Sequence, residues 1–358
     1  MSQLDQPLTL RSGLNLARRF ALAPLTNTQS HPDGSLHDDE LRWLVRRSGH
    51  FALVSTCAAF VSEEGHAWVG QLGIADDSHD RGLARLAKAI RAEGSAPVVQ
   101  LHHGGIKAEQ APIKLSTVDG EGVRGATAAD IERVIEQFVD AARRAEAAGF
   151  AGVEIHGANG YLFTQFLAPK DNPRTDGYGG DLAGRARLLR ETVRAVRART
   201  GDGFTVGVRI SPVDVWASRG LVLADGIELA RWLADDGIDI LHLSLSDASG
   251  PAPREYQGPI VTTAIREVLP TDVALAVAGG VWSRADAERA ESAGADIIVV
   301  GRAAIAHPDW PSASRSDDFS PLRPPWTPEH LTGVDVGPSL LRYLEGFAGM
   351  VVGGRASR

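Results

Sequence analysis

The chain has 358 residues and a formal charge of −8, from 37 Lys and Arg against 45 Asp and Glu. Hydrophobic residues make up 43% and charged residues 23%, the balance of a globular chain long enough to bury a large core. The acidic balance argues against a nucleic-acid or anionic-membrane partner, since phosphates reward clustered Lys and Arg, and the single cysteine, Cys57, excludes an internal disulfide, a Cys-based zinc site and a Cys-ligated iron–sulfur cluster.

A lone cysteine fits a reducing compartment. The first residues lack a charged segment followed by an apolar one, and no apolar run reaches the roughly 18 residues of a membrane span. The expectation is a cytoplasmic protein. In chain order, apolar and β-branched runs predict strands over Arg19–Leu25, Phe51–Cys57, Ala96–Leu101, Gly152–His156, Thr205–Ser211, Ile240–Leu245, Ala274–Gly280 and Ile297–Gly301. Amphipathic spacing predicts helices between them. The clearest is Ala128–Ala148, where Ile131, Val134, Phe138 and Ala141 recur at three or four. Arg185–Arg199, Gly226–Ala234 and Arg284–Ala293 read the same way. Asp317–Thr332 is Pro-rich and irregular, and leads to a last short helix near Ser339–Leu344.

Eight strand–helix units, with strands too apolar to have a wet face, point to a parallel sheet covered by helices. Eight is the closure number of the (β/α)8 barrel. The alternative, an open doubly wound sheet, usually has a Gly-rich turn after its first strand. Here that strand ends Ala23-Pro24-Leu25-Thr26, so the barrel is favoured. No linker-like stretch divides the chain, and a single domain over residues 1–358 is expected.

Catalytic groups of such barrels lie at the C-terminal ends of the strands. Those positions hold Thr26, Cys57 and Ala58, Gln100 and His103, His156, Arg209, Gly279 and Gly280, and Gly301 and Arg302. Glycines after strands seven and eight let backbone N–H groups approach an anion, and Arg302 adds a bidentate fork. The plainer alternative is tight turns with a surface arginine. Glu154 and His156 share one face of strand four, and Arg209 lies inward on strand five. A buried arginine needs a partner, so a Glu154–Arg209 ion pair is expected, with Arg209 also available to an anionic ligand atom. The loop His156-Gly-Ala-Asn159-Gly-Tyr161 then gathers three polar groups able to bind and protonate a carbonyl compound.

The run from Gly152 to Gly180, which includes His156, Asn159, Tyr161, Asn172, Arg174, Asp176 and Tyr178, closely resembles the signature of the Old Yellow Enzyme family of FMN-dependent ene-reductases. The resemblance extends to Ala23–Thr26, Gln100–His103, Val208–Ser211 and Gly301-Arg302 through Trp310, and so covers Leu10 to about Pro311. It implies a single (β/α)8 TIM barrel with an N-terminal β-hairpin cap and an irregular C-terminal extension. It implies non-covalent FMN, with NADPH or NADH as reductant and a small activated alkene as substrate, in a monomer or homo-oligomer. Pro24, Leu25 and Thr26 would line the flavin, with Thr26 bonding near C4=O and N5. Ala58 would pack at the ring edge, and Gln100 and Arg209 would bond the pyrimidine end. Gly279, Gly280, Gly301 and Arg302 would hold the phosphate. His156 and Asn159 would bind the substrate oxygen, and Tyr161 would donate the proton. The segment Arg174–Gly180 would order the loop.

The chain departs from the family in places. Gly104-Gly105-Ile106 followed by Lys107 stands where Ala-Gly-Arg is usual. Thr26 matches the family's older branch, while Thr28 replaces an aromatic pocket residue of the other branch. His102 falls where a large aromatic often sits, which implies a more polar pocket. Cys57 reads as a buried core thiol. Three rival functions compete for the same residues. A larger relative with an iron–sulfur cluster is excluded by the one cysteine. A Schiff-base aldolase is disfavoured because no lysine lies in strands five to eight. The third rival is a barrel that binds a ligand without catalysis.

Overall fold

The computed structural model describes residues 2–214, 217–250 and 259–354. Eight strands run as β1 (Phe20–Leu22), β2 (Leu53–Phe60), β3 (Ala96–His102), β4 (Gly152–Gly157), β5 (Thr205–Ile210), β6 (Ile240–Ser244), β7 (Ala274–Ala278) and β8 (Ile297–Val300). Each pairs in parallel with its sequence neighbours, and β8 returns to β1, so the sheet closes into a barrel. The helices after them are α1 (Asp38–Arg47), α2 (Asp80–Ala92), α3 (Ala128–Ala147), α4 (Leu182–Arg199), α5 (Leu223–Asp235), α6 (Val261–Arg266), α7 (Arg284–Ser292) and α8 (Arg302–Ala306). The structure therefore is the (β/α)8 barrel expected. Among the described residues no helix is long and apolar enough to cross a membrane.

Local sequence explains the element ends. Thr127 caps α3 and Asp130 accepts from the Thr127 N–H in return, a reciprocal pair that starts the helix at Ala128 as the sequence predicts. Ser283 and Asp286 do the same for α7. The first strand stops at Leu22, short of the predicted Leu25, because Pro24 has no N–H for the ladder. The second strand runs three residues past its predicted end. Its register against β3 shifts between Ser55 and Ala58, a bulge that sets Ala58 opposite Gln100.

Two apolar layers result. The larger lies between strands and helices and includes Val153, Val206, Val208, Leu241 and Leu243. The smaller fills the barrel and includes Ala21, Leu53, Val98, Ile240, Ala276 and Val299. Leu10 and Leu16 join this inner cluster from an N-terminal hairpin of Leu8–Thr9 with Asn15–Leu16. The hairpin thus plugs the bottom. Strand alternation does the rest. With Val98 and Ile240 inside, Gln100 and His102 of β3 and His242 and Ser244 of β6 also face inward. With Val153 and Val208 outside, Glu154, His156 and Arg209 face inward too. The barrel is apolar below and polar above.

Candidate functional site

Glu154 is the hub of the polar layer. Gln100 Nε2 donates to its Oε1 at 2.6 Å, and the ring Nδ1 of His242 contacts its Oε2 at 2.7 Å. Burial pushes this carboxyl up, but His242, Arg209 and Gln100 outweigh it and hold it below its ordinary value. Because Gln100 spends its NH2 on Glu154, its Oε1 remains an acceptor. The expected Glu154–Arg209 ion pair does not form. Register places Arg209 opposite His156 and leaves Glu154 opposite Gly207. The guanidinium instead donates from Nη2 to Ser244 Oγ at 3.1 Å, and its buried Nε has no partner among the described residues.

That bond begins a directional chain. Arginine only donates, so Ser244 accepts from Arg209 and passes its own proton to Asn159 Oδ1 at 3.0 Å. The Asn159 amide is thereby oriented, with Nδ2 left as the donor. Asn159 itself is held at φ 63, the left-handed region that Asn tolerates better than most residues, and Ser211 Oγ accepts its N–H at 3.2 Å. His156 is settled in the same way. The Ala158 N–H donates to its Nδ1 at 3.2 Å, so the neutral ring carries its proton on Nε2. Burial, reinforced by His102 and Arg209, pushes this imidazole well below its ordinary value and keeps it neutral. Two uncharged N–H donors therefore rise from one turn.

Tyr161 follows at the start of a short helix, Leu162–Leu167. Its ring lies edge to face with His102 at 4.3 Å and with His156 at 5.1 Å. Burial, with Tyr343 nearby, pushes the phenol up to about 12 against the opposing pull of Arg209. It stays protonated at neutral pH. The His102 ring is fixed by Gln71 Nε2 at 3.1 Å, and Gln71 also donates to the Ala58 carbonyl at 2.9 Å.

The remaining predicted positions ring this center. Gly301 stands against the end of β1, where a Cβ would meet Leu25 and Ala23 at 3.5 and 3.6 Å. A Cβ on Gly279 would come within 2.7 Å of the Leu245 carbonyl, and Gly280 adopts φ 64. The turn at Gly279 and Gly280 requires glycine, whereas a Cβ at Gly301 would meet only ordinary van der Waals contact. The Arg302 guanidinium lies 5.8 Å from the ring of the buried Trp282, and that of Arg323 lies 4.8 Å from it. Pro24 is buried at the end of β1, with Leu25 and Thr26 partly exposed beyond it. His103 and Cys57 are structural. His103 Nδ1 accepts from Gly105 N–H at 3.1 Å, and Cys57 is a buried thiol pushed up by burial and by Glu40.

Sequence reasoning missed Ser244, His242, Gln71 and Tyr343. His242 and Ser244 are the polar positions of Ile240–Ser244, two apart and so on one face, a signal that was present. Tyr343 comes from the C-terminal helix Pro338–Glu345 and lies beside Thr26 and Tyr161. Nothing local to that helix marks it.

A parallel barrel with paired neutral donors and a protonated phenol at its C-terminal rim can bind and protonate a polarised small molecule. Residues 3–317 match the NADH:flavin oxidoreductase / NADH oxidase family. A Bacillus subtilis (strain 168) protein named "Probable NADH-dependent flavin oxidoreductase" is 36% identical over 322 residues, covering 86% of each chain. An NADPH dehydrogenase of Bacillus pumilus is 34% identical over 325 residues, covering 88% of this chain and 95% of its own. An old yellow enzyme homologue from Zymomonas mobilis superposes with a TM-score of 0.80 at 26% identity, over 92% of this chain and 99% of that one. The chain belongs to the NADH:flavin oxidoreductase / NADH oxidase family, that of the Old Yellow Enzyme. It is an NAD(P)H-dependent flavin oxidoreductase, with FMN as cofactor and a reduced nicotinamide as reductant.

The residues present fit that cofactor. An unpartnered buried Arg209 Nε and an unspent Gln100 Oε1 both adjoin Glu154, and offer the cationic donor and the acceptor that suit a flavin pyrimidine ring. The glycine turns leave close backbone approach at the ends of β7 and β8.

Proposed function

We propose that the chain reduces the C=C bond of activated alkenes, namely α,β-unsaturated carbonyls and nitroalkenes, in a ping-pong cycle driven by NADPH or NADH. Pro24, Leu25 and Thr26 at the end of β1, with Ala58, would line the flavin ring. Gln100 and Arg209 would hold its pyrimidine end, and Gly279, Gly280, Gly301 and Arg302 would hold its phosphate. When bound, FMN would supply the hydride chemistry that couples the nicotinamide to the alkene. The protein's own groups manage the charge and the proton. His156 Nε2–H and Asn159 Nδ2–H donate to the substrate's carbonyl or nitro oxygen, and their bonds strengthen as negative charge builds there. Tyr161 breaks its O–H bond and gives the proton to the α-carbon.

The observation that carries this reading is the Arg209–Ser244–Asn159 chain, which fixes the amide as a donor before any substrate arrives. The test is anaerobic. NAD(P)H should bleach the flavin spectrum, and 2-cyclohexenone should restore it with formation of cyclohexanone. Bleaching that oxygen reverses but no enone or nitroalkene reverses would overturn the substrate class.

A further inference from the structure

Lys107 stands where two groups of the site meet. Its Nζ donates to the Asn159 carbonyl at 2.9 Å and lies 4.9 Å from the centroid of the Tyr161 ring. Its side chain is half-buried, and burial together with Arg219 lowers its pKa, opposed by Asp171. Asp171 is itself engaged by Arg219, so it does not neutralise Lys107 by contact. Ile106, standing where the family usually has arginine, points outward with 45% exposure. Lys107 is the cation that this loop supplies to the pocket.

The contact matters because of what it holds. A non-glycine residue at φ 63 persists only where its surroundings fix it. Ser211 holds the Asn159 N–H, Ser244 holds its side chain and Lys107 holds its carbonyl. Of these three, Lys107 also touches Tyr161. The phenol ring faces His102, His156, Lys107, Arg209 and Tyr343. Both imidazoles are pushed well below their ordinary values by burial and are neutral. Among the described residues, the positive charges named beside the phenol are therefore those of Lys107 and Arg209. A cation over an aromatic ring is favoured further when the ring carries negative charge.

We propose that Lys107 is a positioning residue of the reduction, tying the oxygen-binding Asn159 to the proton donor Tyr161 and stabilising the phenolate formed when that donor acts. In that step the Tyr161 O–H bond breaks, its electron pair stays on the phenolic oxygen, and the proton forms the C–H bond at the α-carbon. Water returns a proton to the phenolate afterwards. The inference rests on the proposed reduction of activated alkenes.

The FMN-loaded enzyme is compared with Lys107→Met and Lys107→Arg by two measurements. Rapid mixing of the reduced forms with 2-cyclohexenone should show reoxidation about tenfold slower in Lys107→Met and largely restored in Lys107→Arg. Alkaline ultraviolet titration reads the tyrosinates directly. The chain has four tyrosines, so a Tyr161→Phe difference spectrum isolates the Tyr161 signal. Its midpoint should rise in Lys107→Met and return in Lys107→Arg. An unmoved midpoint, or equal slowing by Met and Arg, would overturn the proposal. Should Lys107→Met fail to fold, Lys107→Gln serves as the neutral variant under the same criteria. If the parent enzyme reduces no enone, the substrate reading fails while the titration still decides the role of Lys107.

Discussion

Replacing Tyr161 with Phe removes one oxygen and keeps the ring that His102, His156 and Lys107 pack against. The fold should survive it. The phenol sits at about 12 because burial disfavours its anion. Without it, water near 15.7 becomes the acid. The gap is about four units, and if half of it appears in the barrier the loss is about 10²-fold. Lost positioning extends the range toward the 10⁴-fold upper end of general-acid effects, or about 5 kcal/mol. The reductive half-reaction needs no proton from Tyr161, so flavin reduction by NAD(P)H should stay within about twofold. A nitroalkene should suffer less than a cyclic enone, because its nitronate is stable enough to leave and be protonated in water. Rapid-mixing kinetics of each half-reaction, run on both substrates, measure this contrast. Equal enone rates in parent and Tyr161→Phe would show that another group is the acid.

Three further outcomes are expected. His156→Ala removes an N–H donor to a developing oxyanion, and the affinity for a para-substituted phenolate, read from its charge-transfer band, should fall by about 1.5–3 kcal/mol; unchanged affinity would remove His156 from the oxygen site. Gly279→Ala drives a Cβ to within 2.7 Å of the Leu245 carbonyl, so purified protein should carry substoichiometric FMN and unfold at lower temperature, whereas full FMN content would show that the turn yields. Asp130→Asn should destabilise the fold by about 1–3 kcal/mol at pH 7 in urea unfolding, since Asp130 accepts from Thr127, Arg124 and Arg133. Burial raises this carboxyl but those bonds outweigh it and hold it below its ordinary 3.8. Its contribution is therefore complete above about pH 4 and lost as pH falls through the lower folded value, so parent and variant should converge in acid.

Strand positions were legible because the barrel strands are apolar on the helix-facing side and in the lower barrel, leaving short apolar, β-branched runs. What escaped was geometry that no local window holds. The bulge between Ser55 and Ala58 changes which residue meets Gln100 without changing the apolar run. The helix Asp38–Arg47 was not singled out, since Glu40 and Arg47 are charged yet fully buried and interrupt its apolar stripe. At the site, His156, Asn159 and Tyr161 were legible as one loop. Their orienting partners were not, because Ser244 lies 85 residues from Asn159 and His242 lies 88 from Glu154. The same blindness produced the mistaken Glu154–Arg209 pair. Inward facing was read correctly, but register, which sets Arg209 against His156, is a property of two strands together.

That mistaken pair explains how the site uses its charge. A direct Glu154–Arg209 bridge would saturate the guanidinium fork and spend its charge on the protein. Here each ion is met by neutral groups instead. Gln100 and His242 satisfy the carboxylate, and Ser244 takes one guanidinium nitrogen. Glu154 still lies close enough to oppose the loss of charge that burial imposes on Arg209. The arginine is thus kept positive without being used up, and its Nε remains buried and unpartnered. Such a group is costly in a finished interior and sensible beside a ligand atom that gains negative charge. Through Ser244 the same arginine also dictates which way the Asn159 amide points. One cation therefore keeps an unspent nitrogen of its own and, through Ser244, leaves an oriented neutral donor at Asn159.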